Sequence, residues 1–347
     1  GDFNIATFER FLIAPYIFLA VFSRYGLNFL YQLIKKSVFK NKLFIESLFL
    51  IIFLLVLPVS QLVKNYPKIS ILKNDLTAEN FAQDILNSLE KKGGIFTHSD
   101  TSHFNTQYLF YSLGYRKNQV KYINVFMLPA EHYQRYLKKQ YSELKINEQK
   151  KDFYNWQFFL EDNYGQIPIY SIPAKETDGY EMAPMGLVAR YFKKEDLPSV
   201  DKIIDINDSL WKNYHNPLSA SLSKYKNLFL ADVVIYYQAG AKRLGKYLIN
   251  NHRLEKAEEY LNKSADFKIK DPELDLLFGR VYLQQKKCGQ AEEQFKKVKE
   301  ALPNNPFPDA YLRQVYLDCY QDQEMAKDFL NSCLEKEEKQ DIHLKDL

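Results

Sequence analysis

The sequence predicts a membrane α-helical segment of two spans, then an α/β domain with a small parallel sheet, then an α-helical solenoid. Three observations carry this reading: two long apolar runs within residues 1–63, an alternation of strand and helix patterns over residues 64–230, and a 34-residue period over residues 236–337. Residues 338–347 form a charged tail.

The apolar runs come first. Residues 11–34, "FLIAPYIFLAVFSRYGLNFLYQLI", and residues 43–63, "LFIESLFLIIFLLVLPVSQLV", are each long enough, at about 1.5 Å per residue, to cross a core of about 30 Å. Arg24 interrupts the first, so a shorter span from Phe8 to Ser23 with an interfacial remainder is the variant form; a buried core helix pair is the alternative to both spans. Arg24, Lys35, Lys36, Lys40 and Lys42 lie between the spans with no acidic residue from 24 to 42, which places that loop in the cytoplasm. Everything after Lys64 is then expected outside the cytoplasm, with membrane lipid as a partner. The chain opens at Gly1 without an initiator Met or a basic leader region, so the run is not a signal peptide, and we read the chain as the carboxyl-terminal piece of a longer protein.

In the middle section, "AENFAQDILNSLEKK" sets Phe81, Ile85 and Leu89 on one helical face, with Thr77 as cap and Gly93-Gly94 as stop. "GIFTHS" follows as a short strand, "FNTQYLFYSLG" as a helix ended by Gly114, "VKYINVFML" as a buried strand and "PAEHYQRYLKKQYSEL" as a helix. Strand, helix, strand, helix implies parallel pairing. Further on, "QIPIYSIP" and "GLVARYF" read as strands joined by a loop that contains "KETDGYEMAPM", with Trp156, Tyr164 and Tyr170 in the core. Asp178 and Glu181 fall in that loop as solvated carboxylates, or as the flanks of a cleft.

Ligands gather at the carboxyl ends of parallel strands. That rule brings the loop from Thr97 to Phe104 and the end of the next strand to one rim, and makes Ser99, Asp100, Thr101, His103 and Asn124 the candidate ligand-binding residues. Asp100 is the acceptor, because an ionised carboxylate takes two or more donors at once. The competing reading is local: Asp100 or Ser102 caps a helix starting near His103. His98, Asp100 and His103 have residue types that bind zinc, but all three lie in one loop with no fourth ligand, and no metal or cofactor is assigned. No G-x-S-x-G elbow accompanies them, so no nucleophilic triad is assigned and no catalytic residue is named.

The period of 34 residues separates Gly245 from Gly279, Ala257 from Ala291, Tyr282 from Tyr316 and Phe295 from Phe329, which is the signature of tetratricopeptide repeats. The clearest copy is "PELDLLFGRVYLQQKKCGQAEEQFKKVKEALP"; in the next copy Arg313 and Met325 stand where Gly279 and Ala291 stand. Three repeats are expected, at 236–269, 270–303 and 304–337, either binding a protein or peptide or serving as a packing platform for the middle section. Cys288, Cys319 and Cys333 all fall here, form no CxxC pair, and are read as neither a disulfide framework nor a zinc site. A formal net charge of +4, spread along the chain, excludes a nucleic-acid partner.

In order, "ERFLIAP", "GGIFTHSDTSHFNTQYLFYSLG" with "VKYINVFML", and "GLVARYF" before a repeat tail resemble the end of a bacterial multi-span membrane family. That family is related to the eukaryotic transmembrane protein O-mannosyltransferases and has the glycosyltransferase-C architecture. Its members carry a pattern like F-T-N-G-D-N-D-T-F-P-L-W-Y-L. Phe96, Thr97, Asp100, Phe104, Tyr108 and Leu109 match it, whereas Ser99 stands at the glycine, Ser102 at the second aspartate, and His98 and His103 at the asparagine and threonine. The resemblance spans residues 8–195 and implies the end of an enzyme in the bacterial inner membrane with its soluble part periplasmic. Such an enzyme transfers sugar from a polyprenyl-phosphate donor to a hydroxyl, its catalytic acid lies near the amino end, outside this chain, and this part serves acceptor recognition. The alternative is a non-catalytic, membrane-anchored tetratricopeptide scaffold that binds protein partners.

Overall fold

The computed structural model describes residues 75–147, 153–219 and 228–340, together with helical residues 24–26, 28–29, 32, 59–67 and 70. Most of the two expected spans lies outside the described residues. Among those described, no helix is long and apolar enough to cross a membrane, which corrects the two-span expectation and the inner-membrane, periplasmic placement built on it. The longest described helix, Leu228–Asn250 with 23 residues, has the length but carries Asp232, Lys242, Arg243 and Lys246.

Gly1–Leu76 with Ser219–Ala231 form one unit, and Thr77–Leu218 with Asp232–Leu347 another. In the second unit, α1 (Thr77–Asn87) buries Phe81, Ile85 and Leu86. β1 (Gly94–Thr97) is buried throughout, as a central strand must be. α2 (Asp100–Gln107) runs on into a wide π turn, Tyr108–Ser112, before Gly114 takes a positive φ of 69°. β2 (Lys121–Ile123) is shorter than its apolar run because the chain turns at Asn124 into a 3-10 segment, Val125–Met127. α3 (Glu131–Gln140) and α4 (Trp156–Asn163) precede β3 (Ile169–Ile172), β4 (Glu181–Met185) and β5 (Val188–Phe192), and α5 (Val200–Asn213) closes this section.

The sheet has five strands in the order β2-β1-β3-β5-β4. β1 pairs in parallel with β2 and β3, while β5 runs antiparallel to both β3 and β4. The sheet is therefore mixed, which corrects the parallel expectation. The difference lies in "EMAPM": expected as loop, it forms β4 and pairs in a hairpin with β5. Pro184 hid it, since proline donates no ladder hydrogen bond and is tolerated where β4 stands, at the sheet edge.

Helices cover both faces. Ile95 points into a core shared with Phe81, Ile203, Trp211, Tyr237 and Leu261, while its neighbour Phe96 points into a second core with Tyr133, Leu137, Phe159 and Ile169. This alternation is the period of two of a strand.

The remaining helices stack in pairs: α6 (Leu228–Asn250) with α7 (Leu254–Ala265), α8 (Pro272–Gln284) with α9 (Cys288–Ala301), and α10 (Phe307–Val315) with α11 (Gln323–Gln340). The repeat period is visible in contacts. A Cβ on Gly245 would lie 2.9 Å from Leu261 Cγ, and one on Gly279 would lie 2.7 Å from Phe295 Cδ1, so both glycines press against a residue sixteen positions on. Ala257 and Ala291 are fully buried. The third pair departs from this: Arg313 and Met325 are exposed, and α10 ends in a π turn, Tyr316–Tyr320. Against expectation, Cys288 and Cys319 form a disulfide joining the start of α9 to that turn, and Cys333 stays a buried thiol.

Candidate functional site

Ser99 is the N-cap of α2, with extended backbone and a side chain accepting from Ser102 N. The expected cap at Asp100 or Ser102 is thus one to three residues late, and Ser102 instead lies inside the helix, buried, with its hydroxyl 2.9 Å from Ser99 Oγ. Ser99 Oγ also meets Tyr236 OH, and Thr101 Oγ1 donates to Asp232 Oδ2 at 3.1 Å. Both partners belong to α6, the first helix of the repeat stack. Asp100 occupies the first turn of α2, where its negative charge suits the helix dipole, and it is exposed.

His103 turns the other way. Its Nδ1 lies 2.6 Å from Tyr122 OH and 3.0 Å from Thr97 Oγ1, and its Nε2 is 3.5 Å from Asn124 Nδ2. A proton on Nδ1 satisfies this set, with Asn124 Nδ2 donating to Nε2. Burial pushes the imidazole below its ordinary pKa, the nearby Asp100 charge opposing, so the neutral ring is favoured. Asn124 holds the 3-10 segment: its Oδ1 accepts from Phe126 N at 3.0 Å and its own N donates to Tyr133 OH at 2.8 Å. Of the five sequence candidates, His103 and Asn124 come together at the strand ends. Ser99 and Thr101 face α6, and Asp100 faces solvent.

Exposed rings surround this rim. Phe104, Tyr108 and Phe126 are 58%, 49% and 59% exposed, and Phe104 and Phe126 pack edge-on to His103. His98 lies apart, against Trp156 at 5.4 Å, with Nε2 buried and unbonded; burial and then the Lys175 charge push it down to about 4. Among the described residues no group of three or more His, Cys, Asp and Glu side chains gathers as metal ligands.

A second polar centre escaped the sequence reading. Asp84 is 1% exposed on the apolar face of α1, and its carboxylate accepts from His215 N at 2.9 Å and from Tyr237 OH at 2.6 Å, with His215 Nδ1 at 2.9 Å. Burial raises the Asp84 pKa against the pull of Tyr237 and His215. One residue before His215, Tyr214 OH contacts Ser88 Oγ at 2.5 Å and accepts from Leu187 N at 3.1 Å. The same turn, Gly186-Leu187, gives Gly186 N to Asn207 Oδ1 at 2.7 Å and its carbonyls to Arg243 of α6 at 3.2 and 3.0 Å. Only one signal in the sequence marks this centre: Asp84 falls three residues after Phe81, on the face that must be buried.

No protein-family model matches the chain, and no curated protein does. A solved structure titled "Crystal structure of MamA" is similar at 15% identity, covering 41% of this chain and 91% of that one, with a TM-score of 0.29.

Proposed function

We propose that the chain is a non-catalytic scaffold that binds a protein partner on its tetratricopeptide-like helix pairs, with the α/β section as their platform. The observation that carries this reading is the outward side of α11, where Leu330 and Leu334, one turn apart, are 36% and 47% exposed. Terminal repeats normally carry a polar outer face, and apolar side chains four apart on a helix form one stripe. The platform role is supported by Ser99, Thr101 and Arg243, whose hydrogen bonds tie the α/β section to α6. A photo-crosslinking residue in place of Leu330 is expected to capture a protein in the source cells, and Leu334→Glu to abolish that capture with the thermal melt unchanged. Capture that survives Leu334→Glu, or no capture from Leu330, refutes the reading.

A second reading takes the loop from Thr97 to Phe104 as a contact for sugar or acceptor hydroxyls, as an acceptor-recognition element of a glycosyltransferase would have. It is favoured by the exposed Asp100 carboxylate standing beside a rim of exposed rings, Phe104, Tyr108 and Phe126.

A further inference from the structure

We propose that the cleft between α1, the turn at 115–119 and α5 binds the phosphate or carboxylate group of a small hydroxylated molecule, with Arg116 receiving the oxyanion. The cleft has a volume of about 690 Å³; α1 and the turn line it with Asn87, Tyr115, Arg116 and Gln119, and α5 lines it with Ser209 and Asn213. That volume falls within the roughly 300–1,000 Å³ of small-molecule sites, and a single inorganic anion would leave most of it to water.

Selection for an anion comes from Arg116 and from the way its neighbours are bonded. Arg116 is half-buried, and among the described residues no carboxylate pairs with it. Burial is the largest influence on its pKa, downward, and the neighbours that oppose it are Tyr115 and Tyr170 rather than an acid. Its Nη1 donates to the Leu86 carbonyl at the end of α1 and its Nε to Gln119 Oε1 at 3.2 Å, which fixes the planar fork and leaves Nη2 without a protein acceptor. A fixed guanidinium with no counter-ion suits an oxyanion, which can take two of its donors at once. The neighbours add donors: Gln119 commits its amide oxygen to Arg116 and Asn87 commits its own to Tyr115 OH at 3.0 Å, so each keeps its NH2 to give. The one carboxylate in the lining, Asp84, is 1% exposed, and both its oxygens are engaged by His215 and Tyr237. A cationic ligand would meet a like charge and a wall of donors.

The α5 wall is neutral. Asn213 Nδ2 donates to Ser209 O at 2.8 Å, which leaves Asn213 Oδ1 as an acceptor one helical turn from the Ser209 hydroxyl. Such groups pair with hydroxyls, which both donate and accept, and they offer nothing to a second charge. Leu210 is the one aliphatic residue in the lining, so an apolar tail would find little to cover it. The ligand that answers both walls has an oxyanion at one end and hydroxyls at the other, as a sugar phosphate or a sugar acid does.

Calorimetric titration of the full chain with glucose 6-phosphate and with glucuronate is expected to give saturable binding, at least about tenfold tighter than that of glucose or of inorganic phosphate. Binding by only one of the two charged sugars identifies which oxyanion the cleft takes. Gln119→Glu is the decisive variant, because it sets a carboxylate oxygen where the amide oxygen lies 3.2 Å from Arg116 Nε. The built-in acid answers the guanidinium, so affinity for the charged sugar should fall at least about tenfold while the melt of the free chain is unchanged or raised. Arg116→Met should give the same loss by removing the charge. Glucose binding as tightly as the charged sugars, or Gln119→Glu leaving their affinity unchanged, overturns the anion site. Inorganic phosphate binding as tightly as glucose 6-phosphate overturns the hydroxylated ligand, and no saturable binding of either charged sugar overturns the cleft as a site.

Discussion

Gly279→Ala tests the repeat register most directly, because a single methyl is aimed at a side chain that cannot move. The new Cβ would stand 2.7 and 2.8 Å from Phe295 Cδ1 and Cζ, against an optimal carbon separation of about 3.5–4.0 Å. Relief requires a shift of nearly an ångström. Phe295 is fully buried and stacks on Tyr311 with centroids 5.0 Å apart and planes 9° apart, so the ring has nowhere to go without separating α8, α9 and α10. Overpacking of this kind costs about 1–3 kcal/mol. Alanine recovers up to about 1 kcal/mol through its better helix propensity, which leaves a net loss of up to about 2 kcal/mol. Gly289 supplies the control: it lies in α9 with nothing within 4 Å of an added Cβ, so Gly289→Ala keeps the propensity gain and incurs no clash. Denaturant titration followed by far-ultraviolet circular dichroism is expected to place the Gly279→Ala midpoint below the parent and the Gly289→Ala midpoint at or above it. Coincident midpoints for the two variants would refute the close contact between α8 and α9 and, with it, the equivalence of Gly279 and Gly245.

Two further outcomes follow from single groups. His98 is neutral in the folded chain down to about 4 while the unfolded chain takes up its proton near the ordinary 6.5, so its contribution is intact above that value and is lost as pH falls between the two. After discounting for the partly exposed ring, the loss is about 1–2 kcal/mol, and His98→Phe should flatten the stability profile over that window; an unchanged profile means that His98 is not held neutral. Breaking the Cys288–Cys319 bond, which closes a separation of 31 residues, should lower stability by roughly 3–4 kcal/mol on the chain-entropy account. Cys288→Ser melting with the parent protein under non-reducing conditions would show that the bond constrains nothing.

Parts of this fold are legible because their signals are local. β1 is a short apolar strand bounded by Gly94 and Ser99, and α1 repeats Phe81 and Ile85 at helical spacing, so pattern alone finds both. The repeat pairs are legible for a related reason, since each glycine meets a residue of its own helix pair, sixteen positions away. β4 fails because its strand character depends on a neighbour, β5, that excuses Pro184, and the disulfide fails because no CxxC spacing announces a bond between adjacent repeats.

The candidate rim shows the limit most clearly. Ser99 and Thr101 have the residue types of a ligand loop, and nothing within ten positions distinguishes a hydroxyl facing a ligand from one facing another helix. Their partners, Tyr236 and Asp232, lie 137 and 131 residues downstream. Asp84 depends on residues just as remote, His215 and Tyr237 at 131 and 153 positions. In both places α6 supplies a partner, Tyr236 to one and Tyr237 to the other. These adjacent residues on one helix face different neighbours, so one element anchors the α2 cap and the Asp84 centre together. Any movement of α6 that loosened Tyr236 from Ser99 would therefore also draw Tyr237 from Asp84, leaving a buried carboxylate short of a donor. That cost couples the position of the first repeat helix to the buried Asp84 centre.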